Sequence, residues 1–200
     1  MNAPFLAATA SPRRHKILAA LGVNFTVFEA NGQEIHDESD AVRTVSSNAL
    51  AKHASCSRLN PSAWILAADT VVEFNGRCLG KPATPDDARR MLIAFSGKSQ
   101  QIFTAVALST PSHDPELRIV ASSVRFRDYG PETVEAYLNQ AQTYDRAGAY
   151  DIDTLGEMII ASYAGSYTNI MGLPSEVVQD WLVAHRYPFP LNPSTAETPA

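Results

Sequence analysis

Residues 4–22 constrain the fold more than any other stretch, because an apolar run is followed within a few residues by the start of a helix. Residues 5–8 are short and apolar, as in a buried strand. Ser11 suits an N-cap, Pro12 suits the first helical position, and Gly22 stands where a left-handed C-cap belongs. This order predicts a strand, a tight loop and a helix, and we expect an α/β fold.

Arg13 and Arg14 fall in the first turn of that predicted helix. Free N–H groups at a helix N-terminus carry partial positive charge, so two arginines there oppose the helix dipole. A bound anion would remove the conflict, since N–H groups, the Ser11 hydroxyl and two guanidinium groups together form a phosphate site. Arginines that simply point to solvent explain the pattern equally well. The stretch alone leaves both interpretations open.

The composition indicates one folded domain without a general attraction for nucleic acid. The chain has 200 residues, 45% of them hydrophobic, which suffices for one domain with a real core, in one or two lobes. We expect this domain to span residues 1–187 and the proline-rich residues 188–200 to be a disordered tail. The 16 basic and 21 acidic residues give a net charge of −5, so any phosphate binding must come from a local cluster.

The cysteines and histidines show no spacing that is typical of a disulfide framework or a zinc site. Cys56 and Cys78 are far apart without a CxxC motif, and the five histidines lack metal-ligand spacing. No stretch approaches the length of a membrane span. We therefore expect a cytoplasmic protein that binds neither nucleic acid nor membrane.

A lysine interrupts the apolar face of a predicted helix at residues 40–59. Apolar residues recur there at helical spacing, and Lys52 fills the one gap in that stripe. Its stem can cover core surface while the ammonium group reaches water, or the side chain can point into a cleft. Residues 24–30 predict a second strand, and the polar, acidic loop after it presents Glu34.

Asp69 follows the apolar run 63–68, which predicts a strand that is buried on both faces and ends at this carboxylate. Ligands of α/β sheets bind beyond the carboxyl ends of strands. Asp69 could instead be a turn residue or an N-cap, but residues 70–79 predict a hairpin with an Asn-Gly turn, so no helix needs a cap. A functional role is therefore favoured. Lys81 precedes Pro82, which holds the lysine in an extended conformation and so directs its side chain.

The second half of the chain predicts further helices and a pair of strands. Helices begin near Pro85, Pro131 and Pro174, and strands are predicted at residues 101–109 and 117–127. The strand pair either joins the main sheet or belongs to a second lobe.

An acidic, glycine-punctuated segment lies between these elements and the last helix. Asp151, Asp153 and Glu157 stand close together near two glycines. They could form a cation site or only a solvated turn, and their spacing favours the turn.

Six short motifs stand in order along the chain. They are Ser-Pro-Arg-Arg at residues 11–14, Ala-Asp-Thr at 68–70, Gly-Lys-Pro at 80–82, Ser-Gly-Lys at 96–98 with Thr-Ala-Val at 104–106, Ala-Gly-Ala-Tyr at 147–150, and Gly-Leu-Pro at 172–174. Each motif is weak alone. Their order and spacing, from about Leu6 to Trp181, resemble the signature of the Maf proteins.

This resemblance implies an elongated α/β fold of the Maf/ITPase-like type, in which helices flank a twisted mixed β-sheet with a deep central cleft. It implies a nucleoside triphosphate pyrophosphatase that hydrolyses the bond between the α and β phosphates with Mg²⁺ or Mn²⁺. Members are thought to clear surplus or non-standard nucleotides and are often homodimers. The expected partner is therefore a nucleoside triphosphate.

The resemblance also implies a catalytic centre. Asp69 would be the proton acceptor, and Glu34, Lys52 and Lys81 would complete the centre. Glu34, with Asp69, would hold the divalent metal through carboxylate oxygens.

Substrate binding would fall to residues from several parts of the chain. The resemblance assigns Arg13, Thr70 and Asp153 to substrate choice, and the anion interpretation adds Ser11 and Arg14. Members of the family that act on dTTP and UTP have glutamine at the position of Asp153, and those that act on 7-methyl-GTP have glutamate. A glutamine amide can donate and accept, whereas ionised Asp153 only accepts.

Arg13 and Thr70 match the pyrimidine type, so we expect dTTP or UTP, or a modified nucleotide, as the substrate. The alternatives are a pyrophosphatase of the 7-methyl-GTP type and a non-catalytic nucleotide-binding regulator of septum formation. Retention of the expected proton acceptor and both lysines argues against the regulator, because a protein that only binds has no need of the base.

Overall fold

The computed structural model describes residues 3–30, 34–144 and 146–189. Its helices are α1 (Pro12–Ala20), α2 (Ala41–Ser57), α3 (Pro85–Phe95), α4 (Pro131–Ala141), α5 (Tyr167–Ile170) and α6 (Ser175–Ala184). Its strands are β1 (Phe5–Ala8), β2 (Thr26–Val27), β3 (Trp64–Phe74), β4 (Arg77–Leu79), β5 (Ser99–Ser109), β6 (Glu116–Phe126) and β7 (Ile160–Ala164). Residues 190–200 of the expected tail lie outside the described residues.

The seven strands form one mixed sheet in the order β2-β1-β3-β5-β6-β7, with β4 paired to β3. Strand β1 is parallel to both β2 and β3, and the remaining pairs are antiparallel. The α/β fold with a mixed sheet is thereby confirmed. The predicted strand pair in the second half is part of this sheet, as β5 and β6.

Strand β3 is the centre of the sheet, and its register leaves a gap on one edge. Strand β1 pairs with β3 only as far as Ala67, and β4 begins to pair at Val72. On the other edge β5 pairs with β3 without interruption from Ile65 to Glu73. Residues 68–71 therefore have no strand neighbour on the β1 side within the described part of the chain.

Helices cover both faces of the sheet. Side chains of a strand point alternately to opposite faces, and the apolar side chains on each face pack against helices. Helix α2 packs on one face, where Val45 and Ala49 contact Val71 of β3 and its neighbours. Helices α1 and α6 pack on the other face around Leu66, and α3 and α4 pack there around Val72. Residues 69 and 70 of β3 consequently point to different sides.

Two predicted elements differ from the structure. Strand β3 does not end at Asp69 but continues to Phe74, because the pairing with β5 supports the backbone through the whole stretch. The expected strand at residues 24–30 is reduced to Thr26–Val27, whose side chains are exposed. Strand β7 was not predicted, since it is short and mostly exposed.

The hairpin that the sequence predicted at residues 70–79 is confirmed. Strands β3 and β4 join through Asn75 and Gly76, which both have positive φ, as a tight two-residue turn requires. No helix among the described residues combines the length and apolar character needed to cross a bilayer.

Candidate active site

A cavity of about 650 Å³ opens at the gap on the edge of β3. Because neither β1 nor β4 covers residues 68–71, groups from both faces of the sheet can reach this opening. The sequence-predicted residues that line it are Ser11, Arg13, Arg14, Glu34, Lys52, Asp69, Thr70 and Lys81. Asp153 is not part of the lining.

Asp69 and Glu34 share the ammonium group of Lys52. The Nζ atom of Lys52 lies 2.7 Å from Oδ1 of Asp69 and 2.9 Å from Oε1 of Glu34. The side chains of Lys52 and Asp69 are 14% and 13% exposed, whereas that of Glu34 is 57% exposed. Lys52 therefore points into the cleft, which answers the question that the helix pattern left open.

Asn48 holds the second oxygen of Asp69 and was not predicted. Its Nδ2 donates to Oδ2 of Asp69 at 3.0 Å and to the carbonyl of Ile35 at 3.0 Å, while its Oδ1 accepts from the Ile35 N–H at 2.8 Å. One buried amide thus joins helix α2, strand β3 and the loop that carries Glu34. Its position four residues before Lys52 on the same helix was a signal that could have identified it.

Arg14 is buried and donates to neutral oxygen atoms of the protein. Its Nε donates to the carbonyl of Gly172 at 2.7 Å, its Nη1 to Thr9 Oγ1 at 3.1 Å and to the Ala68 carbonyl at 3.0 Å, and its Nη2 to Thr70 Oγ1 at 2.8 Å. Burial lowers the pKa of its guanidinium to about 10, an effect that the nearby carboxylate of residue 69 partly opposes. Arg14 therefore stays charged at neutral pH and ties together the segments at the base of the cavity.

The loop before α1 keeps polar groups available at the cavity. Ser11 is the N-cap residue, as predicted, but its hydroxyl makes no capping hydrogen bond, and the first turn of α1 holds no acidic residue. The Ser11 N–H donates to Thr9 Oγ1 at 3.3 Å. The N–H groups in the first turn of α1 therefore receive no capping hydrogen bond from Ser11, which agrees with the anion interpretation.

Arg13 contacts a carboxylate of the protein. Its Nη1 lies 3.3 Å from Oδ2 of Asp151, and Nε of Arg146 lies 3.2 Å from the same oxygen. All three residues line the cavity, and the Asp151 side chain is only 6% exposed. Neither Arg146 nor this role of Asp151 was predicted, because the contact joins segments more than a hundred residues apart.

The expected acidic cluster divides into separate environments. Asp153 is exposed, and its Oδ1 accepts from the hydroxyl of Tyr167. Among the described residues, no group of three or more histidine, cysteine, aspartate or glutamate side chains could hold a metal ion. Asp153 and Glu157 are exposed, as in a solvated turn, whereas Asp151 is buried.

Lys81 lies on the exposed rim of the cavity. No described residue makes a hydrogen bond or ion pair with its ammonium group. The cavity thus combines one carboxylate held by Lys52 and Asn48 with several cationic groups on the surrounding wall. Such a set can accept a proton from water beside a polyanion.

The comparisons with known proteins agree with this geometry. The family model described as Maf-like protein matches residues 4–185. A protein of Moorella thermoacetica named dTTP/UTP pyrophosphatase is 37% identical, over 88% of this chain and 91% of its own. Proteins of the same name from Syntrophus aciditrophicus and Myxococcus xanthus are each 38% identical to this chain. The match covers 86% of this chain for the first and 84% for the second, and 85% of the length of each relative.

Among solved structures, the Ham1 protein of Staphylococcus aureus superposes with a TM-score of 0.54 and 13% identity, over 91% of this chain and 99% of that one. At this identity the likeness concerns the fold alone. The sequence match over nearly the whole described chain decides the relationship: the protein belongs to the Maf family.

Proposed function

We propose that this protein is a nucleoside triphosphate pyrophosphatase that cleaves dTTP or UTP to the monophosphate and pyrophosphate. One observation carries the proposal: the carboxylate of Asp69, held by Lys52 and Asn48, faces a cavity whose wall carries Arg13 and Lys81. The names of the relatives, all dTTP/UTP pyrophosphatases, favour the pyrimidine type over the 7-methyl-GTP type.

In this proposal Asp69 activates the attacking water. The water oxygen forms a bond to the α phosphorus, the bridging bond from that phosphorus to the β phosphate breaks, and pyrophosphate leaves with the bonding electrons. Asp69 takes the proton of the water. Lys52 keeps the carboxylate in place through its 2.7 Å contact, and Asn48 occupies the other oxygen.

The cationic residues have the complementary task. Lys81 and Arg13 would bind the phosphate oxygens, whose negative charge increases on the leaving group. Each charge-assisted hydrogen bond of this kind contributes about 1.5–3 kcal/mol. Ser11 and the first N–H groups of α1 offer neutral donors to the same anion. Arg14, whose donors are largely satisfied by the protein, would position Thr70 and the loops instead.

A divalent metal fits the carboxylates that are present. Glu34 and Asp69 both reach the same ammonium group, so their oxygens lie close together at the cavity. Mg²⁺ is usually held by one or two carboxylates together with substrate phosphates rather than by a complete protein cage. Glu34 and Asp69 would therefore hold Mg²⁺ or Mn²⁺, which would neutralise charge on the triphosphate.

The test is pyrophosphate release by the purified protein with Mg²⁺ or Mn²⁺ and a panel of canonical and modified nucleoside triphosphates. UTP and dTTP should be the best substrates. Asp69→Asn should lose turnover by about 100-fold or more, as expected for loss of a general base, yet still bind nucleotide in calorimetry. Asp180→Asn, on the exposed side of α6, is the matched control and should behave as wild type.

Two results would contradict the proposal. One is the absence of pyrophosphate release from every triphosphate in the panel. The other is unchanged turnover by Asp69→Asn, which would show that Asp69 is not the proton acceptor. Nucleotide binding without any pyrophosphate release would favour the nucleotide-binding regulator. The homodimer and the cytoplasmic location stay predictions.

A further inference from the structure

Lys52 occupies the point at which two carboxylates of the cavity come together. Its Nζ atom lies 2.7 Å from Oδ1 of Asp69 and 2.9 Å from Oε1 of Glu34. The ammonium group therefore contacts one oxygen of each carboxylate that fits a divalent metal. A cation of the protein itself already stands beside the oxygens that a metal ion would use.

The distances leave little room for a second cation at these oxygens. Mg²⁺ binds carboxylate oxygens at about 2.0–2.1 Å, so an ion on Oδ1 of Asp69 would lie no more than about 5 Å from the present position of Nζ of Lys52. Both side chains are mostly buried, and like charges repel each other more strongly in a buried site than in water. The metal and the ammonium group therefore compete for the same position.

The charges around the two carboxylates balance without a metal. Asp69 and Glu34 are the anions, and Lys52 and the buried Arg14 are the cations. Burial lowers the pKa of Arg14 to about 10, and both carboxylates oppose this effect, which places them within electrostatic reach of the guanidinium group. Arg14 is held by oxygens from several segments, whereas the ammonium group of Lys52 stands on a flexible stem. Lys52 is thus the cation that can move.

The cavity offers the displaced ammonium group a place to go. Lys52 lines the same cavity as Ser11 and Lys81, so rotation of its side chain leaves Nζ within the space that the substrate would fill. Asn48 donates to Oδ2 of Asp69 at 3.0 Å, on the oxygen that Lys52 does not contact. Asp69 therefore keeps one anchor when the ammonium group leaves.

We propose that Lys52 and the divalent metal occupy the same position in turn: the ammonium group fills it in the free enzyme, and the arriving metal moves the ammonium group onto the phosphate oxygens of the substrate. This inference rests on the proposed function and adds a reason for the weak metal binding that we expect of the free enzyme. The contact between Lys52 and Asp69 holds the carboxylate until the metal takes over that task.

The first experiment measures Mn²⁺ binding without nucleotide, by calorimetry and by the EPR signal of free Mn²⁺. Lys52→Met keeps most of the apolar stem but removes the competing charge, so this variant should bind Mn²⁺ about 10-fold more tightly than wild type, or better. Lys52→Arg keeps the charge and should bind Mn²⁺ about as weakly as wild type. Lys16→Met, at an exposed position of α1, is the matched control and should leave the affinity unchanged.

The second experiment needs no variant. Acetylation of lysine side chains in the wild-type protein is quantified by mass spectrometry, with and without saturating Mn²⁺ and in the absence of nucleotide. Labelling of Lys52 should rise with Mn²⁺, because the ammonium group loses its two carboxylate partners. Labelling of Lys16, which is exposed in both states, should stay the same.

The outcomes separate this inference from the function on which it rests. Weaker or unchanged Mn²⁺ binding by Lys52→Met would overturn the inference, because Lys52 would then only hold the carboxylates in position for the metal. Unchanged labelling of Lys52 at saturating Mn²⁺ would also overturn it, as would the failure of both proteins to bind Mn²⁺. These measurements contain no nucleotide and leave the proposed function standing, which the absence of pyrophosphate release from every triphosphate would overturn.

Discussion

Replacement of Arg14 by methionine tests whether this arginine holds the base of the cavity together. Methionine keeps most of the side-chain volume but removes all donors to Gly172, Thr9, Ala68 and Thr70. Charge-assisted bonds contribute about 1.5–3 kcal/mol each, but water that enters from the cavity will satisfy some of the abandoned oxygens. We therefore expect a net loss of about 3–5 kcal/mol, similar to breaking a buried ionic contact.

The assay is urea unfolding, monitored by the fluorescence of the two tryptophans, which both lie in the core. For a chain of this size, the expected loss corresponds to a fall in Tm of roughly 6–20 °C. Arg14→Lys should fall between wild type and Arg14→Met, because lysine keeps the charge but not the planar fork of donors.

The neighbouring arginine supplies the control for this prediction. Arg13 is 30% exposed and makes one ion pair at 3.3 Å, so Arg13→Met should cost less than about 1 kcal/mol in stability. If Arg14→Met is no more destabilising than Arg13→Met, the assignment of Arg14 as a structural tie is refuted.

Three further predictions concern groups around the site and in the core. The Gln100 amide is buried without a hydrogen-bond partner among the described residues, so Gln100→Met should stabilise the protein by about 1–2 kcal/mol in urea unfolding, whereas Gln101→Met, at an exposed position, should change it by less than about 0.5 kcal/mol. Burial lowers the pKa of His53 below its ordinary 6.5, so the unfolded chain binds the proton at higher pH than the folded one. The contribution of His53 to the free energy of unfolding should be complete above pH 6.5 and decline as the pH falls below it, and His53→Gln should make this decline less steep. A wild-type stability that does not change between about pH 7 and 5 would contradict the assignment. Asn48→Leu should lower kcat by about 10- to 100-fold because Asp69 loses one of its two anchors, and an unchanged kcat with a normal fold would show that Lys52 suffices.

Local rules predicted many elements well. The apolar run at residues 5–8 is β1, and Pro12, Pro85 and Pro131 each begin a helix. The Asn75-Gly76 turn follows directly from the freedom of those two residues to adopt positive φ. Such features depend on a few neighbouring residues, so a single sequence is sufficient to identify them.

The length and exposure of strand β3 could not be predicted from local sequence patterns. The apolar run predicts the strand, but its continuation beyond Asp69 depends on β5, whose partner residues are about thirty positions later in the chain. The gap at residues 68–71 depends on where β1 and β4 stop pairing, which is a matter of register between separate strands. That gap, rather than a strand end, is what exposes Asp69 to the cavity.

The sequence by itself determined the types of chemical group available at the site: a carboxylate after an apolar run, a lysine on a helix face, and two arginines at a helix start. Only the tertiary structure decided their partners, by placing Lys52 between Asp69 and Glu34, burying Arg14, and setting Asp151 between Arg13 and Arg146. The physical reason is that residue type and local pattern act over a few positions, whereas burial and hydrogen bonding depend on which distant segments the sheet brings together.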